Sequence, residues 1–314
     1  MRDKPDSADR SVAWPAVGVV LVTHNRPQLM RQALESILEQ DYPGEIDVVV
    51  VYDRSEPELT LAQNHPRRRV RVLANDRTAG LAGGRNTGIL ALRTEWVALC
   101  DDDDLWLPGK LIGQLRRLAE HPESSFATTA MEVCYDGDST VRRAGLDLIT
   151  VQHLARSRMA MLHSSSFLFR RSAMIEGFGL VDETLPRSMA EDWDLLLRAA
   201  RQAPIQNVDE PLVRILWGAS SYFNEAWQDK NEAHAWLLAH HPEIGRDRVG
   251  YALQLGKLAF GHAVLKHRLT ALRFAVRASW VNWREPRGPL ALAVLVGVSG
   301  NWIQAVLNRR GHGI

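Results

Sequence analysis

Residues 100–106, CDDDDLW, set four consecutive carboxylates, Asp101 to Asp104, between an apolar run and two large hydrophobic side chains. Adjacent carboxylates repel one another, and a solvated turn tolerates them at little cost. Here they fall between segments that should be buried, where a cation stabilises such charge best. Hard divalent ions, Mg²⁺ or Mn²⁺, take carboxylate oxygens. Mg²⁺ usually accepts only one or two protein carboxylates and completes its shell with water and phosphate, so a metal-bound diphosphate is the natural guest and not all four aspartates are ligands. If extended geometry persists, alternation puts Asp101 and Asp103 on one face and Asp102 and Asp104 on the other.

A second acidic group is EDWD, residues 191–194. Ser188 three residues before Glu191 has capping-box spacing, and acids in a first helical turn suit the helix dipole, so Glu191 reads as a cap as readily as a site residue. Capping needs neither Asp192 nor Asp194. A carboxylate at a helix N-terminus keeps a low pKa and stays ionised, which suits a general base. His163-Ser164-Ser165-Ser166 offers a base and a nucleophile, but neighbours on a strand point to opposite faces, so this stretch reads as strand and loop, with contact to a second substrate as the alternative. Trp193, Trp217, Trp227 and Trp236 are candidates either for core packing or for lining a ligand groove, since aromatic faces stack on ring-shaped ligands.

The elements that must position these groups are legible. VGVVLV (17–22), DVVVV (47–51), VRVL (70–73) and EWVALC (95–100) are short β-branched runs suited to parallel strands buried on both faces. Leu29, Met30, Ala33, Leu34, Ile37 and Leu38 recur at helical spacing between the first two runs, giving a βαβ unit, and Pro108 to Ala119 carries a second apolar stripe. The expected fold is α/β, a doubly wound, mostly parallel sheet with ligands beyond the carboxyl ends of its strands. THNR, YDRSE and CDDDD all lie at such ends. FATTAMEVCY and SSSFLF read as further strands and DWDLLLRAA as a helix. After Trp217 the chain turns helical. Leu255, Leu258, His262, Leu265, Leu269, Leu272 and Val276 form an apolar stripe with a break near Lys266 to Arg268.

The 314 residues carry 38 basic and 37 acidic side chains, so no overall field draws nucleic acid. Two cysteines are too few for a disulfide framework or a zinc site of the usual spacing, and a cytoplasmic setting is the default. The charged, proline-bearing N-terminus lacks the apolar core of a signal peptide. PLALAVLVGVSGNWIQAVL approaches a membrane span in length but is interrupted by Gly297, Gly300, Asn301 and Gln304, so a buried or surface-lying helix is expected.

Taken in order, THNRPQLMRQALESILEQDYP, YDRSE, GLAGGRNTGILAL, CDDDD and EDWDLLLRAA resemble the family 2 inverting glycosyltransferases of the GT-A fold, over about residues 15 to 215. The resemblance implies a GT-A-like domain at 15–217, with a nucleotide-sugar-binding half at 15–124 and an acceptor half at 125–217. A short segment, 1–14, precedes it and a helical extension, 218–314, follows. It implies transfer of a sugar from a nucleoside diphosphate donor, UDP-linked, to an acceptor hydroxyl on a glycan, a lipid-linked sugar or a small molecule. His24 falls where an aromatic stacks on the base and Asp53 where a carboxylate bonds it, with Thr23, Asn25 and Arg26 shaping that end. Gly83, Arg85 and Asn86 fall in the segment that approaches the donor. Asp101 and Asp102 face the ribose or sugar, Asp103 is the metal ligand (Mn²⁺ or Mg²⁺), Asp192 is the base, and Glu191, Trp193 and Trp217 lie on the acceptor side. Asp104 is left to cap the turn before Pro108. Tyr52, Arg54 and Trp217 depart from the family, which commonly has an aspartate, a small residue and, in several members, a histidine there. Two other classes fit the pattern less closely: a non-catalytic sugar-binding protein of the same fold, and a nucleotidyltransferase, whose Gly-rich signature and lysine THNRPQ lacks. The tail is open to a homodimer or to contact with a membrane surface.

Overall fold

The computed structural model describes residues 14–135, 137–216 and 226–309. Its strands are β1 (Val17–Thr23), β2 (Ile46–Tyr52), β3 (Gln63–His65), β4 (Arg68–Ala74), β5 (Trp96–Asp101), β6 (Asp104–Trp106), β7 (Phe126–Tyr135), β8 (Asp138–Arg142), β9 (Leu148–Ile149), β10 (Leu168–Arg170) and β11 (Ile205–Leu216). They join in one sheet of order β3-β4-β2-β1-β5-β10-β7-β11-β6, with β8 beside β7 and β9 beside β11. The four expected runs supply its parallel half, β4-β2-β1-β5. β10 enters antiparallel between β5 and β7. Of SSSFLF only Leu168 and Phe169 belong to a strand, because Ser164–Ser166 curl into a 3₁₀ turn.

The helices are α1 (Pro27–Leu38), α2 (Leu81–Ala91), α3 (Lys110–Glu120), α4 (Val151–Arg156), α5 (Arg171–Ala173), α6 (Glu191–Gln202), α7 (Trp227–His240), α8 (Pro242–Arg246), α9 (Arg248–Val264), α10 (Arg268–Val281), α11 (Arg287–Leu295) and α12 (Gly300–Arg309). Period-two alternation sorts β1 between two cores. Val20 and Val22 face a layer that includes Ile89 of α2 and Trp193 of α6, whereas Val19 and Leu21 face Met30 and Ile37 of α1 and Leu111 of α3. Each such side chain contributes about 1.5–3 kcal/mol when fully buried. Leu237 of α7 and Ile244 of α8 belong to the first of these cores, so the start of the helical tail is built into the main body.

One buried group works against this packing. Lys110 is fully buried, its ammonium 3.9 Å from the centre of the Trp106 ring and 3.0 Å from Gln114 Oε1, to which it donates. Burial brings its pKa down to about 7 from 10.5. Between those values the unfolded chain holds a proton that the folded chain does not, so stability rises with pH through that window and is least favoured below it. Lys110→Met is therefore expected to stabilise the protein by about 1–2 kcal/mol at pH 6, less at pH 10. Denaturant unfolding at the two pH values checks it, and a destabilised variant at pH 6 would show the ammonium to be well compensated.

The last helices pack around Trp227, Phe260, Ala271, Ala275 and Ala291. The predicted break falls between α9 and α10, where Lys266 adopts φ +62°. The predicted stripe divides there. Leu255 and Leu258 are buried, but Leu269, Leu272 and Val276 face solvent, because α10 packs through its alanines instead. Among the described residues no helix is long and apolar enough to cross a membrane.

Candidate functional site

The chain steps from β1 outward to β2 and β4, then returns to place β5 on the other side of β1. A crevice opens at such a reversal, beyond the carboxyl ends of the strands. Thr23 pairs with Tyr52, and Val22 with Asp101, so THNR, YDRSE and CDDDD end level along this edge.

Asp102 ties the two central strands together. Its Oδ2 accepts from Thr23 Oγ1 at 2.8 Å and its Oδ1 lies 3.3 Å from an Arg26 nitrogen. The same guanidinium donates to Asp103 Oδ2 at 2.6 Å. His24 Nδ1 is 2.7 Å from the Asp53 carbonyl, and Asn25 adopts φ +54° at the turn. The Asp53 carboxylate accepts from Asn75 Nδ2 at 2.9 Å, Gly80 N at 3.0 Å and Arg54 Nε at 2.8 Å. Burial alone would raise its pKa, but these donors outweigh burial and hold it below the usual range.

The tetra-aspartate does not alternate as an extended strand. β5 ends at Asp101, a turn at Asp102 and Asp103 intervenes, and β6 begins at Asp104. Asp101 and Asp104 thereby converge with His163: one ligand atom from each lies within 4.8 Å of the others. Asp104 does not cap the turn before Pro108. It is buried, accepts from Ser165 Oγ at 2.5 Å and lies 3.2 Å from His163 Nδ1. Burial, with repulsion from Asp101 and Asp103, pushes its pKa well up, and Asp103 is raised by burial and by Asp101. Asp101 differs, since Arg85 and His163 outweigh burial and hold it below the usual range. The set therefore joins an ionised carboxylate, one that resists ionising and an imidazole nitrogen, donors that suit a divalent cation.

Arg85 connects this corner to the second acidic motif. Buried on α2, it donates to Asp101 Oδ1 at 2.6 Å, to Ser164 Oγ at 2.8 Å and to Glu191. Burial raises Glu191 to about 7, Asp192 and Asp101 adding to the effect and Arg85 opposing it. Asp192 behaves oppositely: burial would raise it, yet the ion pair with Arg158 and a 2.8 Å bond from the Trp193 N–H lower it. Asp192 is thus held ionised, by Arg158 more than by the helix terminus. Ser188 does not cap α6. Its Oγ accepts from Ala82 N at 3.0 Å, and the helix starts from Ala190 in a left-handed conformation, φ +63°, without a side-chain cap.

Other expected contacts are used differently. A Cβ on Gly83 would lie 1.9 Å from the Thr78 carbonyl and one on Gly84 2.6 Å from Val22, so these glycines seat α2 on β1 and its own loop. Asn86 is turned to the chain at 181–183, exchanging bonds with Val181 and donating to Glu183 at 2.6 Å. Trp193 is fully buried with its indole N–H on the Leu154 carbonyl, and Trp227 packs on Phe260, so neither lines an open groove. Trp217 lies outside the described residues. Sequence reasoning weighed His163, Ser164 and Ser165 but read them as strand and loop, and it missed Arg158. A hydroxyl-rich HSSS turn matched to a carboxylate-rich one was the available signal for the first three; Arg158 left none.

The comparisons with known proteins agree with this geometry. Residues 18–178 match the glycosyl transferase family 2 model. The succinoglycan biosynthesis protein ExoO of Rhizobium meliloti is 33% identical over 191 residues, 58% of this chain and 50% of ExoO, so the match spans only half of that relative. The Bacillus subtilis glycosyltransferase YwdF is 24% identical over 65% of this chain and 74% of its own. In fold, the chain is similar to S. aureus TarS 1-349 in complex with UDP-GlcNAc, with TM-score 0.62, 16% identity, and coverage of 95% of this chain and 92% of that one. The mannosyltransferase PcManGT of Pyrobaculum calidifontis, in complex with GDP-Man and Mn²⁺, gives TM-score 0.51 at 18% identity over 94% and 80%. With a GT-A-like sheet, its strand ends level at the switch point and more than half its length matched, the chain belongs to glycosyl transferase family 2.

Proposed function

We propose that the protein transfers a sugar from a UDP-linked donor to an acceptor hydroxyl with inversion, in a catalytic unit at 15–217 whose acceptor half begins near residue 125. The observation that carries this reading is the charge division of the crevice. Asp192 is kept ionised at one wall, while at the other Asp103 and Asp104 resist ionising beside Asp101, which Arg85 holds ionised. The donor's base and ribose lie along Thr23, His24, Asn25, Arg26 and Asp53. Asp102 positions Arg26 and β1 against them. Asp103 and the Asp101–Asp104–His163 set would hold a divalent cation, which would supply positive charge beside the leaving diphosphate. On the opposite side Asp192 takes the acceptor proton as its oxygen attacks the anomeric carbon, so one displacement inverts the centre and no covalent sugar–enzyme bond is needed. The free thiols Cys100 and Cys134 suit a reducing compartment.

Two outcomes test the assignments. Asp103→Ala should weaken Mn²⁺-dependent UDP binding in calorimetric titration by tenfold or more, and equal affinities with and without EDTA would defeat the metal role. Arg158→Gln removes the cation that lowers Asp192, so the acidic limb of the kcat/KM profile should move to higher pH. An unmoved limb would separate that ionisation from Asp192.

A further inference from the structure

The C-terminal helices turn their largest apolar side chains outward. α10 packs on its neighbours through Ala271, Ala275 and Ala278, all fully buried, whereas Leu269, Val276 and Trp280 are 74%, 57% and 87% exposed. Leu269, Leu272, Val276 and Trp280 recur at i, i+3, i+7 and i+11, so they share one helix face. Leu272, Val276 and Trp280 line an open groove with Arg273 and Arg277, and Trp283 follows in the next turn at 74% exposure. Water-exposed apolar area of this kind marks an interaction surface.

The charge of the segment selects the partner. From 266 to 287 it carries Lys266, Arg268, Arg273, Arg277, Arg284 and Arg287 against Glu285 alone, and Glu285 is buried and paired with Arg287 at 2.8 Å. We propose that this face docks on an anionic lipid bilayer. Tryptophan and leucine enter the boundary between headgroups and acyl chains, and the arginines meet lipid phosphates. A second copy fits worse, because a two-fold contact across α10 sets Arg273 and Arg277 against their own kind with no acid to answer them. The helix lies on the surface, since at 14 residues it is too short to span.

Co-sedimentation of the full chain with phosphatidylcholine vesicles, with and without phosphatidylglycerol, tests this directly. Binding should require the anionic lipid and fall with salt. Arg273→Gln with Arg277→Gln should weaken it on the order of tenfold or more. Trp280→Ser with Trp283→Ser should weaken it comparably, and Leu269→Ser to a smaller degree, with circular dichroism unchanged because all these side chains are exposed. Failure of the wild-type chain to sediment with anionic vesicles would overturn the proposal, as would binding indifferent to both double variants. A dimer in analytical ultracentrifugation that Trp280→Ser dissolves, without vesicle binding, would assign the face to a second copy instead. Transfer to a soluble acceptor is read separately, so loss of docking and loss of catalysis are distinguishable.

Discussion

Asp192→Asn should bind the nucleotide donor within about twofold of wild type and transfer sugar about 10²- to 10⁴-fold more slowly, the range that general-base catalysis contributes. Asparagine preserves the shape and can still accept the Trp193 N–H at its Oδ1, so the start of α6 should stay as it is. What it loses is the negative charge that pairs with Arg158 and the capacity to take a proton. The freed Arg158 guanidinium is 43% exposed in its side chain, so water can take over its solvation and the fold should not suffer much. The effect should therefore sit in kcat and not in KM for the donor. Product formation by mass spectrometry, beside donor titration by calorimetry, separates the two. Transfer within a few-fold of wild type would remove Asp192 from the proton transfer and leave Glu191, raised to about 7, as the carboxylate to examine.

The parallel strands were legible because burial on both faces demands unbroken β-branched runs, and β1, β2, β4 and β5 fall within two residues of those runs. Their level carboxyl ends followed from the same pattern. The division of labour among the four aspartates was not legible, because it depends on where extended geometry stops. A turn at Asp102 and Asp103 brings Asp101 and Asp104 together, which strict alternation forbids. Ser188 and Glu191 have capping spacing, yet Ser188 finds the Ala82 N–H on another helix, a competition that local spacing cannot reveal. Asn86 goes to Val181 and Glu183 for the same reason: its partners are some hundred residues away in sequence. In α10 the hydrophobic pattern pointed the wrong way because small alanines let helices approach closely, so the side with less apolar area became the buried one.

Arg85→Met should be the most damaging single substitution at this site, costing about 3–5 kcal/mol of stability at pH 8. Arg85 is 2% exposed and holds two carboxylates, Asp101 and Glu191, that come from different parts of the fold. Methionine fills much of the same volume, so the loss is chiefly electrostatic: two buried acids remain without their cation. Glu191 sets the sign of the pH dependence. With its folded pKa at about 7 against 4.5 for a free side chain, it already binds its proton more tightly in the folded state, so its contribution to stability falls as pH rises between those values. Removing Arg85 raises Glu191 further and raises Asp101 as well, so the variant should be closest to wild type near pH 5 and furthest from it at pH 8. Adding Glu191→Gln should then recover part of the loss, because a neutral amide needs no counter-ion there. Urea unfolding of wild type, both single variants and the double variant at the two pH values gives the coupling directly. A cost under about 1 kcal/mol at pH 8, or additive single effects, would mean that water reaches this cluster and that Arg85 acts on the donor without holding the two acidic motifs together.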